Sequence, residues 1–179
     1  LTLYWSLVHP YLSYGLSAWG QASEEHLKKL LILQKRVLRF IYFAGRRDSA
    51  IPLFLKANIP SLNIMYFEAI ANLMHDVENK KAPPNICKLF TSISDIHSYN
   101  TRMSSSNKLY TQYSRTNIQK NSFSRVGVRL WNKIPLRVAN SSKIVFKKEI
   151  RKLLFSLLDS EGYYVGISEM IEKFPKTKK

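Results

Sequence analysis

The residues best suited to chemistry in this sequence are cations and aromatic rings, concentrated in one stretch without acids. Between Asp95 and Glu149 the chain has no aspartate or glutamate, yet it has eleven lysines and arginines. These are Arg102, Lys108, Arg115, Lys120, Arg125, Arg129, Lys133, Arg137, Lys143, Lys147 and Lys148. The aromatic residues between them are Tyr99, Tyr110, Tyr113, Phe123, Trp131 and Phe146. Because cations attract phosphates and exposed rings stack on bases, this composition favours binding of a nucleic acid.

Specific roles can be predicted for residues in this stretch and in one earlier helix. Phosphate contacts are expected from Arg102, Arg115, Lys120, Arg125 and Arg129. Further phosphate contacts are expected from Lys35, Arg36 and Arg39, within a run from Lys28 to Arg47 that has seven cations and no acid. Tyr99, Tyr113 and Phe123 are expected to stack on bases, at roughly 1–3 kcal/mol for each ring that does so. The alternative for the helical cations is an ordinary solvated helix face.

The charge of the whole chain supports the same expectation. The net charge is +16, far more than solubility requires. Residues 1–95 contribute +4, residues 96–148 contribute +11 and residues 149–179 contribute +1. A balance of this kind is typical of proteins that bind nucleic acid or an anionic membrane surface. The hydrophobic fraction of 45% is enough for a real core, so the chain is not a disordered basic tail.

Cysteine usage and the first residues bear on the cellular compartment. Cys87 is the only cysteine, which excludes an internal disulfide and favours a reducing compartment, the nucleus, the cytoplasm or both. The apolar stretch from Leu1 to Gly20 has no basic start and is interrupted by Pro10, Gly15 and several aromatic rings. It is therefore predicted to be neither a signal peptide nor a membrane span, and no membrane partner is expected. Because Leu1 is not a methionine, the chain is expected to be a piece of a longer protein.

Enzyme chemistry finds little support in the sequence. The four histidines and the cysteine are too widely spaced for a zinc site, and no glycine-rich phosphate loop or nucleophile elbow is present. Two-metal phosphoryl transfer requires clustered carboxylates, and the twelve acids are scattered. No self-sufficient active site and no cofactor are therefore expected in this chain.

The predicted elements are helices in the first half. A kinked helix is expected over 1–18, with an apolar stripe at Leu3, Leu7, Tyr11, Tyr14 and Ala18 and with its aromatic rings in the core. Ser23 is predicted to cap a second helix that reaches about Phe43 and is ended by Gly45. A short helix over 50–57 and a core helix from Ser61 to about Asn79 follow.

The second half is predicted to be loop-rich. Residues 91–122 are expected to be extended chain or short strands, and Phe123–Val128 is predicted to be a strand. Gly127–Ile134 is expected to form a helical turn with Trp131 and Leu130 in the core. A final helix is predicted over 143–158, ended by Gly162, with Ile144, Val145 and Phe146 on its apolar face; a last short helix and a basic tail follow. The fold class is mainly α, with domain boundaries at 1–82, 83–158 and 159–179.

Several stretches together resemble the C-terminal part of the reverse transcriptase of LINE-type (non-LTR) retrotransposons, of the jockey kind. The first runs from Tyr4 to Leu16 and includes the sequence Val8-His9-Pro10-Tyr11-Leu12, followed by Trp19-Gly20. The next are Leu30 to Arg36 with Arg39, and then Pro52-Leu53-Phe54. The last are His97 to Arg102, Arg115-Thr116-Asn117 and the run Ser122 to Pro135, which contains Leu130-Trp131-Asn132. The match covers residues 3–158 and rests on the order and spacing of motifs that are individually weak.

The resemblance implies that residues 1–79 form the helical thumb, which holds the primer–template duplex. Residues 85–158 would be the C-terminal extension, which in such elements binds RNA or target DNA. In the family the palm, with its catalytic Tyr-x-Asp-Asp carboxylates and the Mg²⁺ they hold, precedes the thumb. The chain alone is therefore expected to bind RNA or DNA with little sequence preference and to be inactive in primer extension, with a palm domain as a partner in cis or in trans. A protein-interaction or scaffold module derived from the same element is the alternative.

Overall fold

The computed structural model describes residues 1–96, 99 and 108–161, with side chains as far as residue 156. The chain is mainly helical, which confirms the predicted fold class. It begins with a π-helix, Tyr4–Val8. The α-helices are α1 His9–Ser13, α2 Leu16–Trp19, α3 Glu24–Ile41, α4 Ile51–Ala57, α5 Leu62–Glu78, α6 Pro84–Cys87, α7 Ile93–Ile96, α8 Asn117–Asn121, α9 Phe123–Trp131, α10 Leu136–Ala139 and α11 Lys143–Glu161. The predicted last helix, the Gly162 stop and the basic tail lie outside the described residues.

The central element is α5, which packs against α2, α3, α9 and α11. Apolar residues lie on nearly every side of this helix, which is typical of a buried helix, and it is buried on more than one face. The residues that it buries are Leu62, Ile64, Met65, Tyr66, Phe67, Ile70, Ala71, Met74, His75 and Val77. The predicted core helix is confirmed. Buried residues on both sides of residue 82 belong to the same cluster, and the division into domains stays a prediction.

The first helical segment turns a different face to the core from the one predicted. Tyr4 and Leu16 are buried and Val8 and Leu12 pack partly against the core, whereas the predicted stripe is exposed. Tyr11 is 82% and Tyr14 is 85% exposed, and Leu3 and Leu7 are also exposed. Each row has apolar residues at helical spacing, so periodicity did not distinguish them. The core placement predicted for Leu3, Leu7, Tyr11 and Tyr14 is wrong.

The second predicted helix is confirmed as α3, with corrections at both ends. Ser23 occupies the N-cap, but its Oγ lies 2.6 Å from Nδ1 of His26 instead of capping the backbone. The helix ends at Ile41, before Gly45, and Phe43 has the left-handed conformation with φ of 51°. The Ala44 N–H donates to the Arg39 carbonyl at 2.9 Å and the Phe43 N–H to the Phe40 carbonyl at 3.3 Å. These two bonds form the Schellman motif usually built on glycine.

Gln34 joins the first segment, α3 and the start of α5. Its side chain is 1% exposed. Its Nε2 donates to the Tyr4 hydroxyl at 2.8 Å and to the Pro60 carbonyl at 2.9 Å, and its Oε1 accepts from the Leu62 N–H at 3.0 Å. Burial raises the pKa of Tyr4, and the hydrogen bond from Gln34 opposes that rise. A single amide therefore fixes three elements that lie far apart in the sequence.

The predicted strand over Phe123–Val128 is wrong, because these residues form the first part of α9. Val126, Val128, Leu130 and Trp131 are buried, which confirms the core placement of Leu130 and Trp131. A Cβ added at Gly127 would lie 2.7 Å from Met74 Sδ, so glycine allows close approach of α9 to α5. The indole of Trp131 lies 6.0 Å from the Phe146 ring and 6.4 Å from the His75 ring, between centroids.

The final helix, α11, is confirmed, but its first apolar residues are not in the core. Phe146, Ile150 and Leu154 are buried, whereas Ile144 and Val145 are exposed. The helix is attached to α5 by ion pairs: Lys143 Nζ lies 2.6 Å from Asp76 Oδ2, and Arg151 Nε lies 3.7 Å from Glu68 Oε1. Burial raises the pKa of Glu68, and the charge of Arg151 partly offsets that rise.

Residues 91–122 contain less strand and more helix than predicted, within the part that the structure describes. An isolated antiparallel bridge joins Ser92 to Leu109; the short helix α7 directly follows Ser92, and α8 comes after Leu109 in the sequence. Two backbone bonds close the bridge, from the Ile93 N–H to the Lys108 carbonyl at 3.0 Å and from the Tyr110 N–H to the Thr91 carbonyl at 2.9 Å. None of the helices in the described residues is long and apolar enough to cross a membrane.

Candidate nucleic-acid interface

The predicted site residues from Tyr113 to Lys120 lie together at the surface around α8. Thr116 caps this helix, since its Oγ1 accepts from the Gln119 N–H at 3.3 Å. Arg115 and Lys120 are exposed at its two ends, and Tyr113 is 86% exposed just before it. A flat ring therefore stands within a few residues of two cations, with no acid nearby in the sequence.

Arg125 makes contacts within the chain that were not predicted from the sequence. Its Nη1 donates to the Gln112 carbonyl at 3.0 Å and also to Ser114 Oγ. Ser114 is buried, and the guanidinium is partly buried against this segment. The charge of Arg125 is therefore used to hold residues 112–114 onto α9. These contacts fix the backbone on both sides of Tyr113, and the phosphate contact predicted for Arg125 stays a prediction.

Asn132 completes the attachment of this segment and was not identified from the sequence. Its Oδ1 accepts from the Leu109 N–H at 2.9 Å, and its Nδ2 donates to the Leu109 carbonyl at 2.8 Å. Asn132 follows Arg125 by seven residues, two helical turns, so both point to the same side of α9. The sequence predicts a helical turn with Leu130 and Trp131 in the core at this place, but nothing in it indicates a bond from Asn132 to Leu109.

Phe123 is also structural. Its ring meets that of Phe90 edge to face at 5.4 Å between centroids, and the side chain is half-buried against the core. The predicted stacking of Phe123 on bases is therefore not supported by its position. Tyr99 is exposed, like Tyr113, and both remain candidates. Arg102 lies outside the described residues, and Arg129 is half-buried on α9.

A shallow depression of about 20 Å³ lies between the segment 110–114 and the start of α9. Its lining is mostly polar and includes Ser114, Ser122, Ser124, Gln119 and Arg125. This volume holds about one water molecule, so it cannot enclose a base or a nucleotide. A nucleic acid would have to be bound on the open surface and not in a pocket.

The three cations predicted to contact phosphates from the earlier helix, Lys35, Arg36 and Arg39, lie on α3 and not near α8 in the sequence. They differ in exposure and in the bonds that they make. Arg36 is exposed. Lys35 is half-buried, and burial together with the neighbouring charge of Arg39 lowers its pKa. Arg39 donates from Nε at 3.0 Å and from Nη2 at 2.8 Å to the Asp48 carbonyl. Arg39 therefore holds the turn after α3, and Arg36 is the better placed of the three for a phosphate.

A further group of exposed cations lies on α10 and α11 and was not selected as a site. Its members are Arg137, Lys147, Lys148 and Lys152. Lys148 and Lys152 are one helical turn apart and share a face of α11. Arg137, Lys147 and Lys148 belong to the acid-free run over residues 96–148, so the composition already indicated them. The sequence alone did not distinguish exposed lysines from a paired lysine such as Lys143.

The resemblance places Mg²⁺ in the palm, and the acids in the described part of this chain do not form a second site for it. Among the described residues no group of three or more histidine, cysteine, aspartate or glutamate side chains could hold a metal ion. Asp76 is paired with Lys143, Glu68 lies beside Arg151, and Asp48 Oδ2 accepts from the Gly45 N–H at 2.6 Å. These carboxylates are engaged separately, so no catalytic step can be derived through them.

Comparisons with protein-family models, with curated proteins and with solved structures found no match to this chain.

Proposed function

We propose that this chain is a nucleic-acid-binding module, which holds RNA or DNA through phosphate contacts with little dependence on sequence. The observation that carries the proposal is the acid-free run over residues 96–148. Its described cations Arg115, Lys120, Arg137, Lys147 and Lys148 are exposed. These five cations come from a run whose sequence has no acid, and a polyphosphate supplies negative charge that the run itself lacks.

The aromatic residues favour nucleic acid over a simple polyanion. Tyr113 is exposed beside Arg115, and Arg125 and Asn132 hold the segment that carries Tyr113 to α9. Because the backbone of this segment is already fixed, less conformational entropy is lost when a base stacks on the ring. The resemblance to the thumb and C-terminal extension of LINE-type reverse transcriptases supports the same proposal, with a palm domain in cis or in trans as the polymerase partner.

Binding is expected to weaken steeply as salt increases. If five or more phosphates are contacted, the slope of log affinity against log salt should be about −4 or steeper for duplex DNA. Fluorescence anisotropy with labelled RNA and DNA of several sequences measures this slope. A flat salt response, or no binding at low salt, would contradict the proposal.

The double substitution Arg115→Glu with Lys120→Glu tests the surface. It should weaken binding about tenfold or more and reduce the magnitude of the slope by about two, because two phosphate contacts are lost. The matched control is Lys81→Glu with Lys88→Glu, which makes the same change in net charge at two exposed lysines outside the acid-free run. Equal losses in both variants would show that the contact surface lies elsewhere.

A second candidate function is a protein-interaction module, and the exposed row Leu3, Leu7, Tyr11 and Tyr14 specifically favours it. Residues 1–22 contain no lysine, arginine, aspartate or glutamate, so this row lies in an uncharged part of a highly charged chain. An apolar row of this kind is suited to burial against a partner.

If the row mediates self-association, light scattering should show an oligomer whose size does not depend on salt. Leu7→Lys with Tyr14→Lys should then give a monomer, because the two charges would be buried at the contact. Ile118→Lys, at an exposed apolar residue on α8, is the control and should leave the size unchanged. A monomer for the unsubstituted chain at about 50 μM, where contacts of micromolar affinity are occupied, would exclude self-association through this row.

A further inference from the structure

The last turn of α3 and the turn that follows it each present one aromatic ring to solvent. Phe40 is 82% exposed and Phe43 is 95% exposed. Tyr42, between them, is partly buried, and Lys56 Nζ lies 5.3 Å from the centre of its ring. Tyr42 therefore contacts another part of the fold, whereas Phe40 and Phe43 project into solvent. Arg36, Arg46 and Arg47 are exposed on the same helix end and turn. We call Arg36, Phe40, Phe43, Arg46 and Arg47 the α3 corner.

The α3 corner is firmly built. The Schellman bonds fix Phe43 relative to Arg39 and Phe40. Arg39 then donates twice to the Asp48 carbonyl, the Asp48 N–H donates to the Gly45 carbonyl at 3.1 Å, and the Asp48 carboxylate accepts from the Gly45 N–H. The backbone that carries Phe40 and Phe43 is therefore fixed by the Schellman bonds at the helix end and by the Asp48 bonds in the turn.

Fold stability does not account for the choice of phenylalanine at residue 43. A left-handed conformation disfavours a residue with a Cβ, and glycine is the usual occupant of this Schellman position. The chain has a glycine two residues later, at Gly45, which does not have positive φ. The Phe43 ring gains almost nothing from burial, since it is nearly fully exposed. Both the backbone and the side chain are thus unfavourable in the isolated fold, and a ligand that covers the ring would offset this.

The charge around the rings indicates which ligand this is. Between Lys28 and Arg47 there are seven cations and no acid, and the nearest acid, Asp48, is bonded to the Gly45 N–H. The ligand must therefore combine negative charge with flat apolar faces. Unpaired nucleotides have both, whereas the bases of a duplex are stacked on each other and unavailable to the rings.

We propose that the α3 corner is a binding site for unpaired nucleotides, in which Phe40 and Phe43 stack on bases and Arg36, Arg46 and Arg47 contact the neighbouring phosphates. This proposal rests on the proposed nucleic-acid-binding function and adds a preference for single strands at a place separate from α8. An anionic membrane surface is the competing partner of the same charge, and the experiment distinguishes it.

The test compares Phe40→Ala with Phe43→Gly, combined in one variant, against the unsubstituted chain. Glycine at residue 43 suits the backbone, so the fold should be kept, and circular dichroism and thermal unfolding check this. Binding to a single strand of about 20 nucleotides should weaken tenfold or more, and binding to the corresponding duplex should change less than about threefold. A second variant, Phe40→Tyr with Phe43→Tyr, retains flat rings and should stay within about twofold of the unsubstituted chain. Ile144→Ala with Val145→Ala, which removes two exposed apolar side chains from α11, is the control and should leave both affinities unchanged.

Three results would overturn this proposal. One is single-strand affinity that is unchanged by the loss of both rings, and another is an equal loss for single strand and duplex. The third is a loss confined to binding of phosphatidylserine-containing vesicles, which would identify a lipid surface as the partner. If the unsubstituted chain binds neither single strand nor duplex at low salt, the proposed function fails and this site with it. If it binds both and the variant is indistinguishable, the site alone is refuted.

Discussion

Replacing Gln34 by leucine is expected to destabilise the protein by about 3–5 kcal/mol. The leucine side chain has a similar size but cannot replace the three hydrogen bonds of the amide. The Leu62 N–H and the Pro60 carbonyl would lose their partner in a buried place, and the Tyr4 hydroxyl would lose its donor. Each unsatisfied buried group costs about 1–3 kcal/mol. Denaturant unfolding followed by circular dichroism measures the loss.

The control for this substitution is Gln21→Leu at an exposed glutamine, which should change stability by less than about 0.5 kcal/mol. Tyr4→Phe removes one partner of Gln34 and should cost about 1 kcal/mol. The double variant Gln34→Leu with Tyr4→Phe has no phenol hydroxyl that lacks a donor. Its loss of stability should therefore be smaller than the sum of the losses of the two single variants. Additive losses, or a Gln34→Leu variant as stable as the unsubstituted chain, would show that the amide does not join these elements.

Trp131→Ala, as a separate variant, is expected to lower the free energy of unfolding by about 3–5 kcal/mol. The loss is expected to destabilise the first helices as well as α9. The indole fills the space between α5, α9 and α11, where it contacts Phe146 and His75. The sequence has three tryptophans, so after this substitution only Trp5 and Trp19 remain as fluorophores, both before α3. If the first helices and α9 unfold together, tryptophan fluorescence of the variant should report the same destabilisation as circular dichroism.

The control is Trp131→Phe, which retains an aromatic ring in the same space and should cost clearly less than alanine. A fluorescence transition that stays at the denaturant concentration of the unsubstituted chain, while circular dichroism shows an earlier one, would mean that two units unfold independently. That result would favour the predicted division near residue 82.

The helices of the first half could be predicted because their local signals agree. Ser61 precedes a long apolar run, and Asn79 and the prolines at 83 and 84 follow it, so the limits of α5 were nearly correct. The orientation of the first helix could not be predicted in the same way. The row beginning at Leu3 and the row beginning at Tyr4 have similar spacing, and the π-helix over Tyr4–Val8 changes the register between them. The buried row is marked by the bond between Tyr4 and Gln34, thirty residues away.

The site was predictable in composition and less so in the roles of single residues. Arg115, Lys120 and Tyr113 are exposed around α8, where the prediction requires them. Arg39 and Arg125 donate to backbone carbonyls instead, because each lies beside a segment that leaves a carbonyl without a helical partner. Whether an arginine meets a carbonyl or solvent depends on the tertiary position of that segment, and no local sequence pattern shows it. For the same reason the exposure of Phe40 and Phe43 followed only from the structure.

The bridge between Ser92 and Leu109 has a consequence for how this protein can vary. The bridge joins Ser92 to Leu109, and the two bonds from Asn132 attach Leu109 to the end of α9, so the two limits of the intervening sequence are fixed. The entropy of closing a loop grows only with the logarithm of its length, by about 0.6 kcal/mol for each doubling. Residues can therefore be inserted or deleted between these anchors at little cost to the core. The length and composition of the sequence between Ser92 and Leu109 can therefore vary while the helices around α5 stay as they are.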